Sequence, residues 1–252
     1  MVDNERIVVL PDIHAPNHNV KSLRAVIQFI EHYNPTTLIQ LGDLCDWDSV
    51  TTFDPRKETD IVCIEDEVES ACRVLRKIES SLSPSCRKVL IGGNHEERLT
   101  KWKVKFGHEI EMRRLKKVKD WWEYYRLKEH GWEWVQYGEV YKIGKLLFTH
   151  GFGNGGKNSA ELHLKRFHKN IFFGHTHRFL TATWMTFDEN PIMAASIGTL
   201  SNFNLSYLKG EPPNDWINMF ATIEFMKNGK FTPHFIPIID GKFIKDGMAY
   251  GV

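Results

Sequence analysis

Side chains with metal-ligand chemistry are concentrated in five short stretches: Asp12-Ile-His14, Gly42-Asp43-Leu-Cys-Asp46, Gly93-Asn94-His95-Glu96, Thr149-His150-Gly151 and Gly174-His175-Thr-His177. Each stretch follows an apolar or β-rich run: Ile7–Leu10, Thr37–Leu41, Lys88–Ile91, Lys145–Phe148 and Ile171–Phe173. Runs of this length, bounded by glycine, read as buried strands. The ligand-type residues therefore sit at strand ends and face one edge of a sheet, where open α/β sheets place their ligands. Gly42 lets the backbone turn sharply at such an end and lets other groups come close. In Asp12-x-His14 and His175-x-His177, residues i and i+2 of an extended segment point to the same side, so each pair offers two ligands to one small volume. Carboxylate, imidazole and amide oxygen suit zinc, manganese or iron, with no thiolate needed. Asp12, His14, Asp43, Asn94, His150, His175 and His177 are too many for one tetrahedral ion; two ions bridged by a carboxylate use them all. Two metals roughly 3.5–4 Å apart are a recurring arrangement for phosphate-ester hydrolysis, because they clamp the phosphoryl oxygens and activate a water.

The elements that must position these residues follow from periodicity. Arg6–Pro11 reads as a strand, and Asn19–His32 as a helix with Leu23, Val26, Ile27 and Ile30 on one face. Ile61–Leu82 reads as a second helix, ended by Ser83-Pro84-Ser85. Alternation of strand and helix through the first half argues for parallel βαβ units. The chain from about 96 to 130 is expected to be a helical insertion, charged and rich in aromatics. From Trp132 onward strands dominate, with helix only around Lys157–His168 and a hairpin turn at Asn228-Gly229. Thr181–Phe187, Pro191–Ile197 and Phe220–Met226 read as antiparallel strands. Two packed sheets with helices outside fit this order better than one open sheet. A length of 252 residues with 42% hydrophobic composition supports one large domain spanning 1–252.

Global properties exclude some classes. A formal net charge of +1 gives no strong pull towards polyanions. Cys45, Cys63, Cys72 and Cys86 show no paired metal spacing and read as free thiols of a reducing compartment. The charged start lacks a secretory signal, and no run is long and apolar enough to span a bilayer. The expectation is a soluble cytoplasmic protein with no membrane partner.

The five blocks, in order from residue 12 to 177, resemble the calcineurin-like metallophosphoesterase superfamily. The resemblance implies the metallophosphoesterase fold: a four-layer αββα sandwich, two mixed β-sheets flanked by helices. It also implies a dinuclear centre. Asp12, His14, Asp43 and His177 would hold one divalent ion, and Asp43, Asn94, His150 and His175 the other. Manganese leads, with iron, zinc, nickel or cobalt as alternatives. His95 would stabilise the transition state or protonate the leaving oxygen; Asp46 and Glu96 would orient His95 or other site groups. The activity implied is hydrolysis of phosphate esters by a metal-bound hydroxide. Phosphodiesters of nucleotides or nucleic acids are favoured over phosphomonoesters of small molecules or proteins, and a silent metal-binding scaffold is the third reading. Protein Ser/Thr phosphatases follow their Gly-Asp block with Arg-Gly; here Trp47-Asp48 follows Asp46, which argues against a phosphoprotein substrate. The order of segments is similar to phosphoesterases encoded by bacteriophage genomes.

Substrate contacts are open in the residues alone. Trp47 and Phe53 either stack on a base or anchor a long loop. Arg98 and Arg178 either contact phosphate or pair with acids. Lys101–Phe106, Arg113–Lys117 and Trp121-Trp122 interleave bases with aromatics; this is a nucleic-acid face or, given Glu109, Glu111, Asp120 and Glu123, a solvated amphipathic helix. Gly151–Gly156 either seats a phosphate at a helix start or forms a flexible lip. His18, His32, His108, His130, His163, His168 and His234 lie outside the blocks and read as structural or surface residues.

Overall fold

The structure, a computed structural model, describes residues 5–51, 63–106, 118–153, 155–187, 190–204 and 215–251. Strands β1 (Arg6–Leu10), β2 (Thr37–Gln40), β3 (Arg87–Ile91) and β4 (Trp132–Val135) run parallel, in that order across the sheet. Helix α1 (Val20–Tyr33) links β1 to β2, and α2 (Ile64–Ser80) precedes β3, as the alternating pattern predicts. The Asn19 side chain caps α1 by accepting the Ser22 N–H at 3.0 Å. Its buried face is Leu23, Val26, Phe29 and Ile30, with Ile27 only half-buried. Helix α3 (Glu96–Phe106) and the single turn α4 (Trp121–Tyr124) lead into β4. The segment expected to be a helical insertion over 96–130 is helical at 96–106 and 121–124, while 107–117 lie outside the described residues. Among the described residues, Asp120 starts α4 with a capping box, and Arg126 takes a left-handed φ of 55° beyond it, so the chain turns instead of extending the helix.

The second sheet has the order β5 (Tyr141–Ile143), β6 (Leu146–Thr149), β7 (Asn170–Phe173), β9 (Pro191–Ile197), β8 (Phe179–Met185). Here β6, β7 and β9 are parallel, and β5 and β8 are antiparallel edges. Helix α5 (Ser159–Phe167) packs outside it. The chain then returns to the first sheet through β10 (Met219–Phe225), antiparallel to β1, and β11 (Phe231–Pro237), joined to β10 by the Asn228-Gly229 turn. A two-stranded ribbon, β12 (Phe243–Lys245) with β13 (Met248–Tyr250), follows.

Period-2 alternation places the layers. Ile7, Val9, Ile39, Leu41, Val89 and Ile91 meet Ile143, Leu146, Phe148, Phe172 and Ile197 between the sheets. Val8, Leu10, Leu38 and Leu90 face α1 and α2. Leu147, Ile171 and Phe173 face Ala160 and Leu164 of α5. Strands covered on both faces read as continuous apolar runs, which is why the sequence shows runs and not alternation. The result is the αββα sandwich of two mixed sheets.

Candidate metal centre

The five ligand-bearing stretches follow the carboxyl ends of β1, β2 and β3 in one sheet and β6 and β7 in the other. They converge from two sheet edges, not one. Asp12, His14 and His177 form one cluster and Asp43, His150 and His175 another, with the ligand atoms of each within 4.8 Å of one another. Asp43 lies between them: its Oδ2 is 3.7 Å from His14 Nε2 and 3.3 Å from His150 Nε2. Asn94 joins the second group through its Oδ1, 2.9 Å from His150 Nε2. All seven side chains expected at a metal centre are therefore brought together.

The backbone that does this differs from the extended form expected of the Asp-x-His and His-x-His pairs. His14 (φ 57°), Asp43 (φ 50°), His175 (φ 67°) and His177 (φ 58°) are all left-handed, a conformation that non-glycine residues hold only where the surroundings impose it. One consequence is that His175 and His177 do not share a cluster; the turn sends one ring to each. The glycines of the blocks leave room for carboxylates. A Cβ on Gly93 would collide with Asp43 Oδ1, and one on Gly174 with Asp12 Oδ1.

Hydrogen bonds fix each ligand from behind. Asp12 accepts the His175 backbone N–H on both oxygens, at 3.0 and 2.9 Å, and Asp43 Oδ1 accepts that of His95 at 2.9 Å. His14 Nδ1 lies 2.7 Å from Asp46 Oδ1, and a carboxylate only accepts, so Nδ1 carries the proton. His150 Nδ1 likewise donates to the Leu41 carbonyl at 2.8 Å. Both imidazoles thus turn Nε2 into the centre, the nitrogen a metal takes once its proton is lost. His14 Nε2 and His177 Nε2 are 3.0 Å apart, and His177 Nε2 is 3.0 Å from Asp12 Oδ2. Ligands ~2.0–2.2 Å from one ion stand about 3–4 Å apart, so this spacing fits. His177 Nδ1 is buried with no partner among the described residues.

Charge points the same way. Asp12, Asp43 and Asp46 are all buried. Burial opposes their ionisation, but His150 beside Asp12 and Asp43, and His14 beside Asp46, hold the three carboxyls below their usual range. In return, burial works against charged imidazole, yet Asp46 lifts His14 to about 9 and Asp43 lifts His150 to about 10. Buried carboxylates that hold protons on neighbouring histidines form a site where a divalent cation would take the place of those protons.

His95 sits beside this centre, its Nε2 3.8 Å from Asp43 Oδ2. Its Nδ1–H donates to the Asp46 backbone carbonyl at 2.8 Å. The Asp46 carboxylate is committed to His14 and to the Asn17 amide (2.7 Å), so Asp46 orients His95 by its main chain and His14 by its side chain. Glu96 does not orient His95. It accepts the backbone N–H groups of Asp43, Leu44, Cys45 and Gly93 and the Tyr125 hydroxyl, and so holds the Asp43 turn. Arg98 donates to His95 Nε2 (3.2 Å), the Asp46 carbonyl (2.8 Å) and Asp48 (2.8 Å). Burial, then the positive charges of His14 and Arg98, push His95 down to about 3 against Asp43 and Asp46.

Other sequence candidates fare differently. Trp47 is fully buried and its indole N–H donates to Tyr125 at 2.8 Å, so it anchors the loop and offers no face to a base. Phe53 lies outside the described residues. Arg178 pairs with Asp215 at 2.7 Å and also donates to the Gly155 carbonyl. Trp102, Trp121 and Trp122 pack on the core and Lys103 pairs with Asp120, so these side chains are engaged within the fold. Arg113–Lys117 fall outside the described residues. Besides Asn17, two positioning residues escaped the sequence reading. Tyr125 supports Glu96, and Glu67 on α2 accepts the Asp48 and Ser49 N–H groups at 2.7 and 3.0 Å. Glu67 carried a signal, because it falls in phase with the apolar stripe Ala71, Val74 and Ile78.

No helix among the described residues is long and apolar enough to cross a membrane. Over nearly its whole length the chain is similar to the Gene 54 proteins of Mycobacterium phages D29 (26% identical over 263 residues, 99% of this chain and 100% of the relative) and L5 (28% over 267 residues, 99% and 100%). Among solved structures it is similar to zinc-complexed Vps29 from Entamoeba histolytica (14% identical, 94% of each chain, TM-score 0.47). It is also similar to YfcE, a phosphoesterase from E. coli (12% identical, 91% of this chain and 98% of that chain, TM-score 0.40). A family model described as calcineurin-like phosphoesterase matches residues 5–179, the stretch that contains all five ligand-bearing blocks. The chain belongs to the calcineurin-like phosphoesterase family.

Proposed function

We propose that the protein is a dinuclear metal-dependent phosphoesterase acting on phosphodiesters of nucleotides or nucleic acids. The observation that carries this reading is the place of Asp43, with one carboxylate oxygen facing His14 of the first cluster and His150 of the second. Asp12, His14, Asp43 and His177 would hold one ion and Asp43, Asn94, His150 and His175 the other, with manganese the leading metal because the donors are oxygen and nitrogen only. Divalent ions there supply Lewis acidity towards phosphoryl oxygens and lower the pKa of a water.

The chain's own groups do the rest. His14 and His150 are held as Nδ1–H tautomers by Asp46 and Leu41, so their ligand nitrogens need no reorganisation. His95 rests neutral, with Nε2 accepting from Arg98. Its Nε2 would take up a proton from solvent and pass it to a leaving oxygen once the negative charge of a bound phosphate offsets Arg98 and the cost of burial. Glu96 and Tyr125 keep the Asp43 turn rigid, and Glu67 with Asp48 keeps Arg98 on His95.

The test is turnover of a generic aryl phosphodiester and an aryl phosphomonoester, with metal measured on the same samples. Chelation should abolish hydrolysis, manganese should restore it, and the diester should be the better substrate. Full turnover after exhaustive chelation would refute the metal-dependent reading; a strong monoester preference would move the substrate to phosphomonoesters.

A further inference from the structure

Beside His177, on the side of the first cluster, lie two aromatic rings that no ligand role has claimed. The Trp216 ring is 4.1 Å from the His177 ring, edge to face at 72°. The Phe203 ring follows at 6.4 Å from Trp216, at 79°. Trp216 is half-buried and Phe203 is 37% exposed, so the pair runs from the ligand shell out to solvent.

Both rings are pinned to the segments that carry the ligands. Ile217 N–H donates to the His177 carbonyl at 3.1 Å, and Asp215 pairs with Arg178 at 2.7 Å, which fixes Trp216 from either side. Asn202 N–H donates to the Asn17 carbonyl at 2.9 Å, and the Asn17 amide holds Asp46. Phe203 is thereby tied to the support of His14. An exposed aromatic held this firmly next to a buried polar centre is a surface for another ring.

The geometry points to a nucleobase subsite: the base of a nucleoside phosphate stacks on Phe203, with Trp216 standing at 79° to that ring between it and His177, while its phosphate lies at the Asp12–His14–His177 cluster. This rests on the phosphoesterase reading and narrows its substrate. Spacing selects a nucleoside over a simple aryl ester. In an aryl phosphate the ring joins the ester oxygen directly and cannot pass the width of Trp216 to reach Phe203. In a nucleotide a pentose intervenes, and the base reaches outward. The role sought in sequence for Trp47 thus falls to a pair far along the chain. Stacking of this kind tolerates any base, since every base has a π-face.

The test is calorimetric binding to manganese-loaded full-length protein, using phosphonates that have no ester bond to cleave. The probes are methylphosphonate, phenylphosphonate, and the phosphonate analogues of ribose 5-phosphate and adenosine 5′-phosphate. Wild type should bind the adenosine analogue roughly tenfold or more tighter than the ribose analogue, the scale of one stacked base. Phe203→Ala should bring the adenosine analogue down to the affinity of the ribose analogue, and Phe203→Trp should restore the difference. Trp216→Phe, which keeps a ring against His177, should fall between. Equal affinity of adenosine and ribose analogues in wild type would overturn the proposal, as would a preference that survives Phe203→Ala. Phenylphosphonate binding as tightly as the adenosine analogue would reassign the platform to aryl esters and overturn the nucleobase. The enzymatic reading fails separately: a protein that shows the base preference but hydrolyses no ester keeps the subsite and loses the activity.

Discussion

Glu96→Gln is the substitution whose cost the structure allows to be worked out. Glu96 Oε2 accepts N–H groups from Asp43 (2.9 Å) and Gly93 (2.8 Å). Oε1 accepts those of Leu44 (3.1 Å) and Cys45 (3.3 Å) and the Tyr125 hydroxyl (3.0 Å). A glutamine must put its NH2 on one side or the other. Either choice sets the amide hydrogens against two buried backbone donors and breaks both bonds; only the Tyr125 hydroxyl can rotate to accept. Each lost hydrogen bond to a charged group costs ~1.5–3 kcal/mol, so the variant should lose about 3–6 kcal/mol. Burial, then Asp43, raises the Glu96 carboxyl, so removing its charge relieves some repulsion. That relief is the smaller effect, because it leaves the two unpaired donors in place. For a chain of this size the loss corresponds to a melting temperature lower by roughly 6–24 °C. The assay is thermal unfolding in chelator, so that metal does not contribute, with half-buried Glu97→Gln as the neighbouring control, expected within about 0.5 kcal/mol of wild type. A Glu96→Gln protein less than about 1 kcal/mol below wild type would refute the idea that this carboxylate holds the Asp43 turn.

Gly174→Ala should weaken metal binding at the first cluster, because its Cβ drives into Asp12 Oδ1; metal titration of the folded variant checks this, and wild-type affinity would count against the packing argument. His95→Ala should keep its metal content and lose on the order of a hundredfold or more in turnover, the usual range for a proton-transferring group; an unchanged rate on a substrate with a poor leaving group would remove His95 from the chemistry. Metal uptake at pH 7 should release protons. In the metal-free protein His14 stands at about 9 and His150 at about 10, so both are charged at pH 7 and must be neutral to bind a metal. Affinity should therefore rise as pH increases from 7 towards 10 and level off above, and calorimetry in buffers of different ionisation enthalpy should report the released protons; a heat independent of buffer would contradict the charge balance.

Much of the centre was legible because its chemistry is carried by residue type. Asp12, His14, Asp43, Asn94, His150, His175 and His177 each stand where a β-rich run stops, and runs and stops are what periodicity reads best. How the rings reach two clusters was not legible. Left-handed φ at His175 and His177 is set by the surrounding fold; histidine visits that region more often than most residues, but too rarely for the sequence alone to place it there. Trp47 was ambiguous for a related reason: a tryptophan in a polar loop reads as available until Tyr125, 78 residues away, is seen to take its N–H. The helical character expected over 96–130 is seen at 96–106 and 121–124, and the turn at Arg126 that ends it has no local signature in the sequence. The layers were legible from element order, because strands covered on both faces need helices outside and a second sheet within.

The central claim is that Asp43 joins two metal ions in one site. Electron paramagnetic resonance of the manganese-loaded protein tests it most directly, with bound manganese counted on the same sample. The account predicts two ions per chain with the spectrum of a coupled pair in the wild type, and loss of both the coupling and the second ion in Asp43→Ala. A wild-type spectrum of isolated manganese with one ion per chain at saturation, or a coupled pair that persists in Asp43→Ala, would contradict it.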